Sequence, residues 1–262
     1  MERNIVLDAM NEICRPDGNL KFLILCDHAS NYIPEHYQGL GVRAESLKSH
    51  IAYDIGAAEI ARNLSERLGC PAILSCFSRL LIDPNRGQDD PTLVMKLSDG
   101  EIIPGNRDVD RFRNSDELEL RLARFYRPYD LAISTAIDKA QAAGEVPIIL
   151  SVHSFTPIWK GQTRPWEGAI LWDQDPRLRD HMIRYFAARP DICFGDNEPY
   201  SGRLKNDCMN RHATSRGLPH GLIEIRQDIA SSAERREIWV NYLSQIMQNA
   251  ALDEQCAACN RQ

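Results

Sequence analysis

The chain reads as an α/β fold, on three observations. Short apolar runs of strand length recur along it, among them FLILC (22–26), PIILSV (147–152) and LIEI (222–225). Between them lie longer stretches whose apolar residues recur every three or four positions, the spacing of a helix face. The two kinds of segment alternate, which is the rhythm of a sheet covered by helices.

Taken in order, Lys21–Cys26 is strand-like, and Ile55–Leu68 (IGAAEIARNLSERL) has helical spacing and a stop at Gly69. Ala72–Ser75 and Leu80–Ile82 have the composition of short strands. Asp116–Ala142 carries a long helical pattern, with a bend expected near Pro128, and leads through Gly144 into the strand Pro147–Val152. Gly168–Trp172 is a further strand. Pro176–Ala187 is a helix with proline at its start, Asn206–Arg216 a helix stopped by Gly217, Leu222–Ile225 a strand, and Ser232–Ala250 the closing helix. No repeat, low-complexity tract or linker divides residues 1–262, so one domain is expected.

At 262 residues and 43% hydrophobic, the chain can bury a full core. Its net charge of −6 comes without a basic block, which argues against nucleic-acid binding and towards a small-molecule partner. No apolar run approaches a membrane span, and MERNIVLDAM has no signal-peptide core, so a cytoplasmic protein is expected. The eight cysteines, at 14, 26, 70, 76, 193, 208, 256 and 259, are scattered and read as reduced thiols. Cys256-Ala-Ala-Cys259 lacks the second pair a zinc knuckle needs.

The ends of the strands hold the chemistry. His28 follows FLILCD, His153 follows PIILSV, and Glu224 sits in GLIEIRQD. Open α/β sheets bind ligands at strand ends, so these three groups point to one site. Imidazole and carboxylate hold Zn²⁺ with one position open for water, whose pKa falls on the metal from about 15.7 towards about 7. An unligated carboxylate can then take the water's proton. The plain alternative is that each histidine ends a strand and bonds a turn. Asp83-Pro84-Asn85-Arg86 and Asp196–Gly202 stand out as polar loops. Arg79 is embedded beside Leu80 and Leu81, where a guanidinium suits an anionic substrate or a developing oxyanion.

The ordered segments CDHASN, HIAYDIGA, SRLLIDPNR, IPGN, VHSFTP, RPWE, GDNEPYSG and RGLPHGLIEIRQD resemble the N-formylglutamate amidohydrolase-like family, from about Lys21 to about Ile246. The resemblance implies the zinc exopeptidase type of fold, a three-layer α/β/α structure with a mixed sheet of about eight strands. It implies Zn²⁺ bound by His28 and His153, with Glu224 as general base and later proton donor. Arg79 would polarise the scissile carbonyl, and Asn85 and Arg86 would grip the substrate's carboxylate. The implied activity is hydrolysis of N-formyl-L-glutamate to formate and glutamate in histidine degradation, or of another N-acyl amino acid. Arg164, Arg203 and Arg226 add to an arginine supply suited to such a small anionic substrate.

One departure separates this chain from the zinc carboxypeptidases and aspartoacylase, whose first two ligands come from His-x-x-Glu. Here Asn31 stands three after His28, and a neutral amide is a poor zinc ligand. Asp54 is the first choice for the third ligand, although an aspartate just before Ile55–Leu68 is equally what a helix N-cap looks like. Asp27 and Glu35 are further candidates, and His50 could support the site. The first histidine stands in Asp27-His28-Ala29-Ser30-Asn31 rather than Pro-His-Ser-Gly, which suggests a sister branch of the family. Two other readings are a cysteine hydrolase, for which no thiol has a nucleophile setting, and a carboxylate-binding homologue without metal.

Overall fold

The computed structural model describes residues 6–8 and 10–259. Eight strands form one mixed sheet: β1 (Val6–Asp8), β2 (Asn11–Cys14), β3 (Phe22–Cys26), β4 (Ala72–Ser75), β5 (Ile148–Phe155), β6 (Gly168–Leu171), β7 (Phe194–Asp196) and β8 (His220–Arg226), in the order β1-β2-β4-β3-β5-β8-β6-β7. The centre, β4-β3-β5-β8, is parallel, while β2 and β6 run antiparallel to their inner neighbours. Residues 1–5 of the N-terminal stretch lie outside the described residues. Among those described, no helix is long and apolar enough to cross a membrane.

Strand alternation splits the core between two faces. Phe22, Ile24, Cys26, Leu150, Val152, Ile223 and Ile225 face one side, where α1 (Ala57–Leu68), α4 (Arg177–Ala187) and α7 (Ala233–Ala250) bury Leu64, Met182 and Leu243 against them. Leu23, Leu25, Ile149 and Leu222 face the other side, covered by α3 (Arg127–Ala142) through Tyr129, Ile133 and Ile137. The three-layer α/β/α arrangement follows. Because Ser151 and His153 share parity with Ile149, and Glu224 with Leu222, all three emerge on this second face.

The long helical pattern before β5 is interrupted. α2 (Ser115–Arg121) passes into a π-helical turn, Leu122–Tyr126, before α3. The widened turn lies just ahead of Pro128, which has no N–H to give to a regular ladder. The Tyr126 hydroxyl then donates to the Arg86 carbonyl at 2.8 Å.

Leu80–Ile82 is not a strand. It is a turn in which Leu81 N–H donates to Ser78. Its three side chains are fully buried, and side chains rather than a ladder satisfy its carbonyls: Asn106 donates to Leu80 O at 2.7 Å and Arg121 to Leu81 O at 2.8 Å. An apolar run marks burial, and here nothing else in the run distinguishes strand from buried turn. The expected helix 206–216 likewise shrinks to α5 (Cys208–His212) and a 3-10 turn, Thr214–Arg216, ended by Gly217 in the left-handed region. A short α6 (Gln227–Ala230) follows β8. The eight cysteines are free thiols, including Cys256 and Cys259.

Candidate active site

The parallel strands β3, β5 and β8 deliver three groups to one end of the sheet. His28 stands two residues beyond β3, and Glu224 and His153 are cross-strand partners in the β5–β8 ladder. Asp54 completes the cluster. Its N–H donates to the His28 carbonyl at 2.9 Å, and its Oδ2 lies 2.7 Å from His153 Nδ1 and 3.3 Å from His28 Nδ1. His28, Asp54 and His153 are buried, and their ligand atoms lie within 4.8 Å of one another, close enough to hold one metal ion.

Asp54 is not the helix cap. The N-cap of α1 is Gly56, at φ 81°, with no side-chain capping bond. A Cβ at Gly56 would come within 2.2 Å of the Ala230 carbonyl, so the backbone needs glycine there and the Asp54 carboxylate is left for the histidines. Asn31 spends its amide on the Leu47 carbonyl, at 2.9 Å, and Glu35 is exposed in a 3-10 turn. Asp27 lies on the far side of His153, 3.0 Å from Nε2.

Both imidazoles are held from behind by carboxylates. His28 Nε2 lies 2.7 Å from Asp83 Oδ1, as His153 Nε2 does near Asp27. Asp27 in turn accepts from the Tyr129 and Ser151 hydroxyls, at 3.0 and 2.8 Å. A carboxylate on one ring nitrogen fixes that nitrogen as the N–H and leaves the other as a lone pair for a metal. Here the lone pairs are the two Nδ1 atoms, on either side of Asp54 Oδ2.

Charge accounting supports a cation. Burial pushes the carboxyls of Asp27, Asp54 and Asp83 up, yet the imidazoles, and Arg79 beside Asp83, hold all three well below the usual carboxylate range. Three buried anions face one half-buried guanidinium, Arg79, which donates to Asp83 at 2.8 Å and lies 3.8 Å from Asp54. With neutral imidazoles the cluster carries the charge a divalent ion would cancel. Without one, a proton substitutes: burial pushes His153 down, but Asp27 and Asp54 raise it to about 10.

Two buried polar atoms at the same place have no partner, Glu224 Oε2 and Arg79 Nε. Native proteins leave such atoms unpaired rarely, and functional sites are where they do. Burial pushes the Glu224 carboxyl up to about 7. Arg79, Glu224, Asn85 and Arg86 line a cavity of about 490 Å³ together with the triad. Asn85 accepts from Cys208 N–H through Oδ1, and Arg86 donates to Thr92 Oγ1 and to the Asn85 carbonyl, with no carboxylate partner among the described residues. His50 stands at the rim, 3.1 Å from Asp99.

Arg226 corrects the sequence-based expectation of substrate binding. It does not line the cavity; its guanidinium pairs with Asp228 at 2.7 Å and caps the carbonyls of Arg164, Pro165 and Trp166. It is the last residue of β8, on the parity of Glu224, and its side chain is drawn off to Asp228 rather than into the cavity. Arg203 is exposed and 4.0 Å from Asp173. Sequence reasoning assigned no role to Asp83, Ser151 or Tyr129; the parity of Ser151 with His153 was the one available signal.

The family model for N-formylglutamate amidohydrolase matches residues 20–230. The chain belongs to that family. A solved structure of a gene product from Agrobacterium tumefaciens is 33% identical, with a TM-score of 0.87 over 93% of this chain and 95% of the other. An N-formylglutamate amidohydrolase from Ralstonia eutropha JMP134, 21% identical, shares the fold at a TM-score of 0.69 over 93% of this chain and 97% of its own. No curated protein sequence matches the chain. Within this N-formylglutamate amidohydrolase-family chain, the matched span contains the triad, Glu224 and the Arg79–Arg86 segment, and stops at the end of α6.

Proposed function

We propose that the chain is a zinc-dependent amidohydrolase cleaving the acyl amide of an N-acyl amino acid, with N-formyl-L-glutamate as the default substrate. The observation that carries this reading is the pairing of a buried two-histidine, one-carboxylate triad with the unpartnered Glu224 Oε2 and Arg79 Nε over one cavity. His28, Asp54 and His153 would hold Zn²⁺, which would supply Lewis acidity to water and to an acyl oxygen.

The protein's own groups do the rest. Glu224, buried and with its carboxyl near neutrality, takes a proton from the attacking water and returns it to the leaving nitrogen. Arg79 remains charged, and its unused Nε is a donor for the oxyanion of the tetrahedral intermediate. Arg86 and the Asn85 amide bind the substrate's α-carboxylate, since Arg86 has no acidic partner among the described residues. Asp27 and Asp83 keep the histidines oriented. The default substrate would place the enzyme in the cytoplasm at the deformylation step of histidine degradation, acting on a small anion and not on nucleic acid.

Metal analysis together with formate release from N-formyl-L-glutamate, before and after chelation and zinc return, tests the proposal. About one zinc per chain with chelator-sensitive release supports it. Bound zinc without formate release redirects the search to other acyl amino acids. A protein that resists zinc loading refutes it in favour of a carboxylate-binding homologue.

A further inference from the structure

Six carboxylates are buried among the described residues: Glu12, Asp27, Asp54, Asp83, Asp207 and Glu224. Four of them stand against a guanidinium or an imidazole, Glu12 with Arg62 at 2.7 Å, Asp83 with Arg79 at 2.8 Å, and Asp27 and Asp54 with His153 at 3.0 and 2.7 Å. Glu224 and Asp207 have no ion-pair partner among the described residues, and both line the active-site cavity. Glu224 is the proposed base, which leaves Asp207 without a role.

Asp207 is 4% exposed. The one hydrogen bond its carboxylate makes among the described residues is accepted by Oδ1 from Asn210 N–H, at 2.7 Å, as the N-cap of α5. Arg211 and Arg86, whose charges reach it through space, spend their donors elsewhere: Arg211 on Asp130 at 3.0 Å and on the Pro84 carbonyl, Arg86 on Thr92 Oγ1 and the Asn85 carbonyl. Burial pushes the Asp207 carboxyl up to about 6, as it does for an anion whose charge is left uncancelled.

The cavity wall around this acid is apolar. Leu222 precedes Glu224 by two residues on β8 and so shares its face, and Leu171 on β6 is its ladder partner. Asn197 Oδ1 accepts from Trp172 N–H and Gly202 N–H, both at 3.0 Å, which ties the segment carrying Leu204 to the end of β6. Leu171, Leu204, Leu222 and Asp207 all line the active-site cavity, and all four also border a small adjoining cavity of about 20 Å³, so they form one wall. That wall adjoins the segment that takes the α-carboxylate, because Asn85 Oδ1 accepts from the N–H of Cys208, the residue after Asp207. An aliphatic stem lies well against leucines, and a cation at its end supplies what the acid lacks. A carboxylate side chain would meet Asp207 as a like charge.

We propose that Asp207, with Leu171, Leu204 and Leu222, forms the subsite for the side chain of the leaving amino acid and selects an aliphatic side chain ending in a cation, of the lysine or ornithine class. This rests on the amidohydrolase reading, in which Asn85 and Arg86 take the α-carboxylate, and departs from its default substrate in the charge of the side chain. Asp207 touches no reacting atom, so its loss changes which substrate is used rather than the chemistry.

The test compares Nα-formyl-L-lysine with N-formyl-L-norleucine, whose side chains differ by the terminal ammonium. In the zinc-loaded wild-type protein, kcat/KM should favour the lysine derivative by about tenfold or more, the low end for a close charge pair, and N-formyl-L-glutamate should rank below it. D207N keeps an acceptor for Asn210 N–H and should bring the lysine-to-norleucine ratio close to one through loss on the lysine derivative. Equal losses on both substrates would make Asp207 structural and overturn the proposal, as would a wild-type preference for the glutamate derivative. Should D207N fail to fold, D207S, which also caps, should cut the ratio about tenfold, and an unchanged ratio overturns it equally.

Binding of the products L-lysine and L-norleucine, read by tryptophan fluorescence, separates this proposal from the hydrolase reading. Absence of any turnover, with lysine preferred by wild type and the preference lost in D207N, sinks the hydrolase reading and sustains the subsite. Turnover of formyl amino acids without a lysine preference does the reverse.

Discussion

Replacing Glu224 by glutamine removes the proposed base at nearly constant shape, and the structure sets two magnitudes for it. The first is catalytic: a positioned general acid–base contributes about 10²–10⁴ in rate, about 3–5 kcal/mol of barrier, so kcat for formate release should fall by that factor. Zinc content should stay at the wild-type value, because Glu224 is outside the triad. The second is thermodynamic and concerns the metal-free protein. Burial raises the Glu224 carboxyl from 4.5 to about 7 in the folded state, so folding binds a proton more tightly than the unfolded chain does. The cost of the carboxylate is absent below about pH 4.5, grows through the interval, and is complete above about pH 7. It amounts to about 3 kcal/mol. Metal-free E224Q should therefore be more stable than metal-free wild type at pH 8 by up to about 3 kcal/mol, less the cost of burying the amide, and the advantage should shrink towards pH 4.5. Urea unfolding at the two pH values measures this. A kcat within about threefold of wild type, zinc lost with the carboxylate, or a stability difference independent of pH would each refute the reasoning.

Removing a ligand and removing a carboxylate behind one should differ in degree: D83N should weaken zinc affinity about 10–100-fold, and D54N by more, in competition with a chromophoric chelator. Zinc binding must displace the proton that His153 holds up to about pH 10, so apparent affinity should rise by about tenfold per pH unit from pH 6.5 to 8.5; a flat profile would reject that proton. By the same sign, the histidine's pairing stabilises the metal-free protein fully below pH 6.5 and is lost as pH passes about 10. R79M should lower kcat about 10²–10³-fold, whereas R86A should chiefly raise KM in steady-state assays. L64A, which empties a fully buried position of α1, should cost about 2–5 kcal/mol in urea unfolding without changing zinc content.

The sheet was legible wherever a strand was both apolar and central. β3, β5 and β8 are buried on both faces, so their runs are continuous and their ends deliver His28, His153 and Glu224 where the pattern indicated. β2 was not, because NEIC puts a glutamate and an asparagine into a strand near the edge; Glu12 survives burial by pairing with Arg62 at 2.7 Å. Leu80–Ile82 misled for the opposite reason, since its burial comes from Asn106 and Arg121 capping a turn, and those residues lie 26 and 40 positions away from the carbonyls they satisfy. Asp83 was visible only as part of a polar loop. Its service to His28 depends on a contact across 55 residues that no local pattern encodes.

Asp54, the proposed third ligand, shows how a distant residue becomes a neighbour. In a His-x-x-Glu arrangement the second ligand is local to the first, and the chain needs no closure to place it. Here Asn31 occupies that position and ties down the Leu47 carbonyl, so the chain leaves the site, runs through two 3-10 turns, and returns at Asp54. The return is clamped by Asp54 N–H on the His28 carbonyl, which makes a carboxylate 26 residues away a backbone neighbour of the first histidine. Closing a loop of that length costs only slowly more than closing a short one, and Gly56 immediately turns the chain into α1, whose buried face fixes the end of the loop to the sheet. The clamp and the helix, rather than sequence proximity, thus set the carboxylate between the two imidazoles. No residue of 32–46 lines the cavity, so changes there that respect both ends should leave the triad's metal binding unaltered.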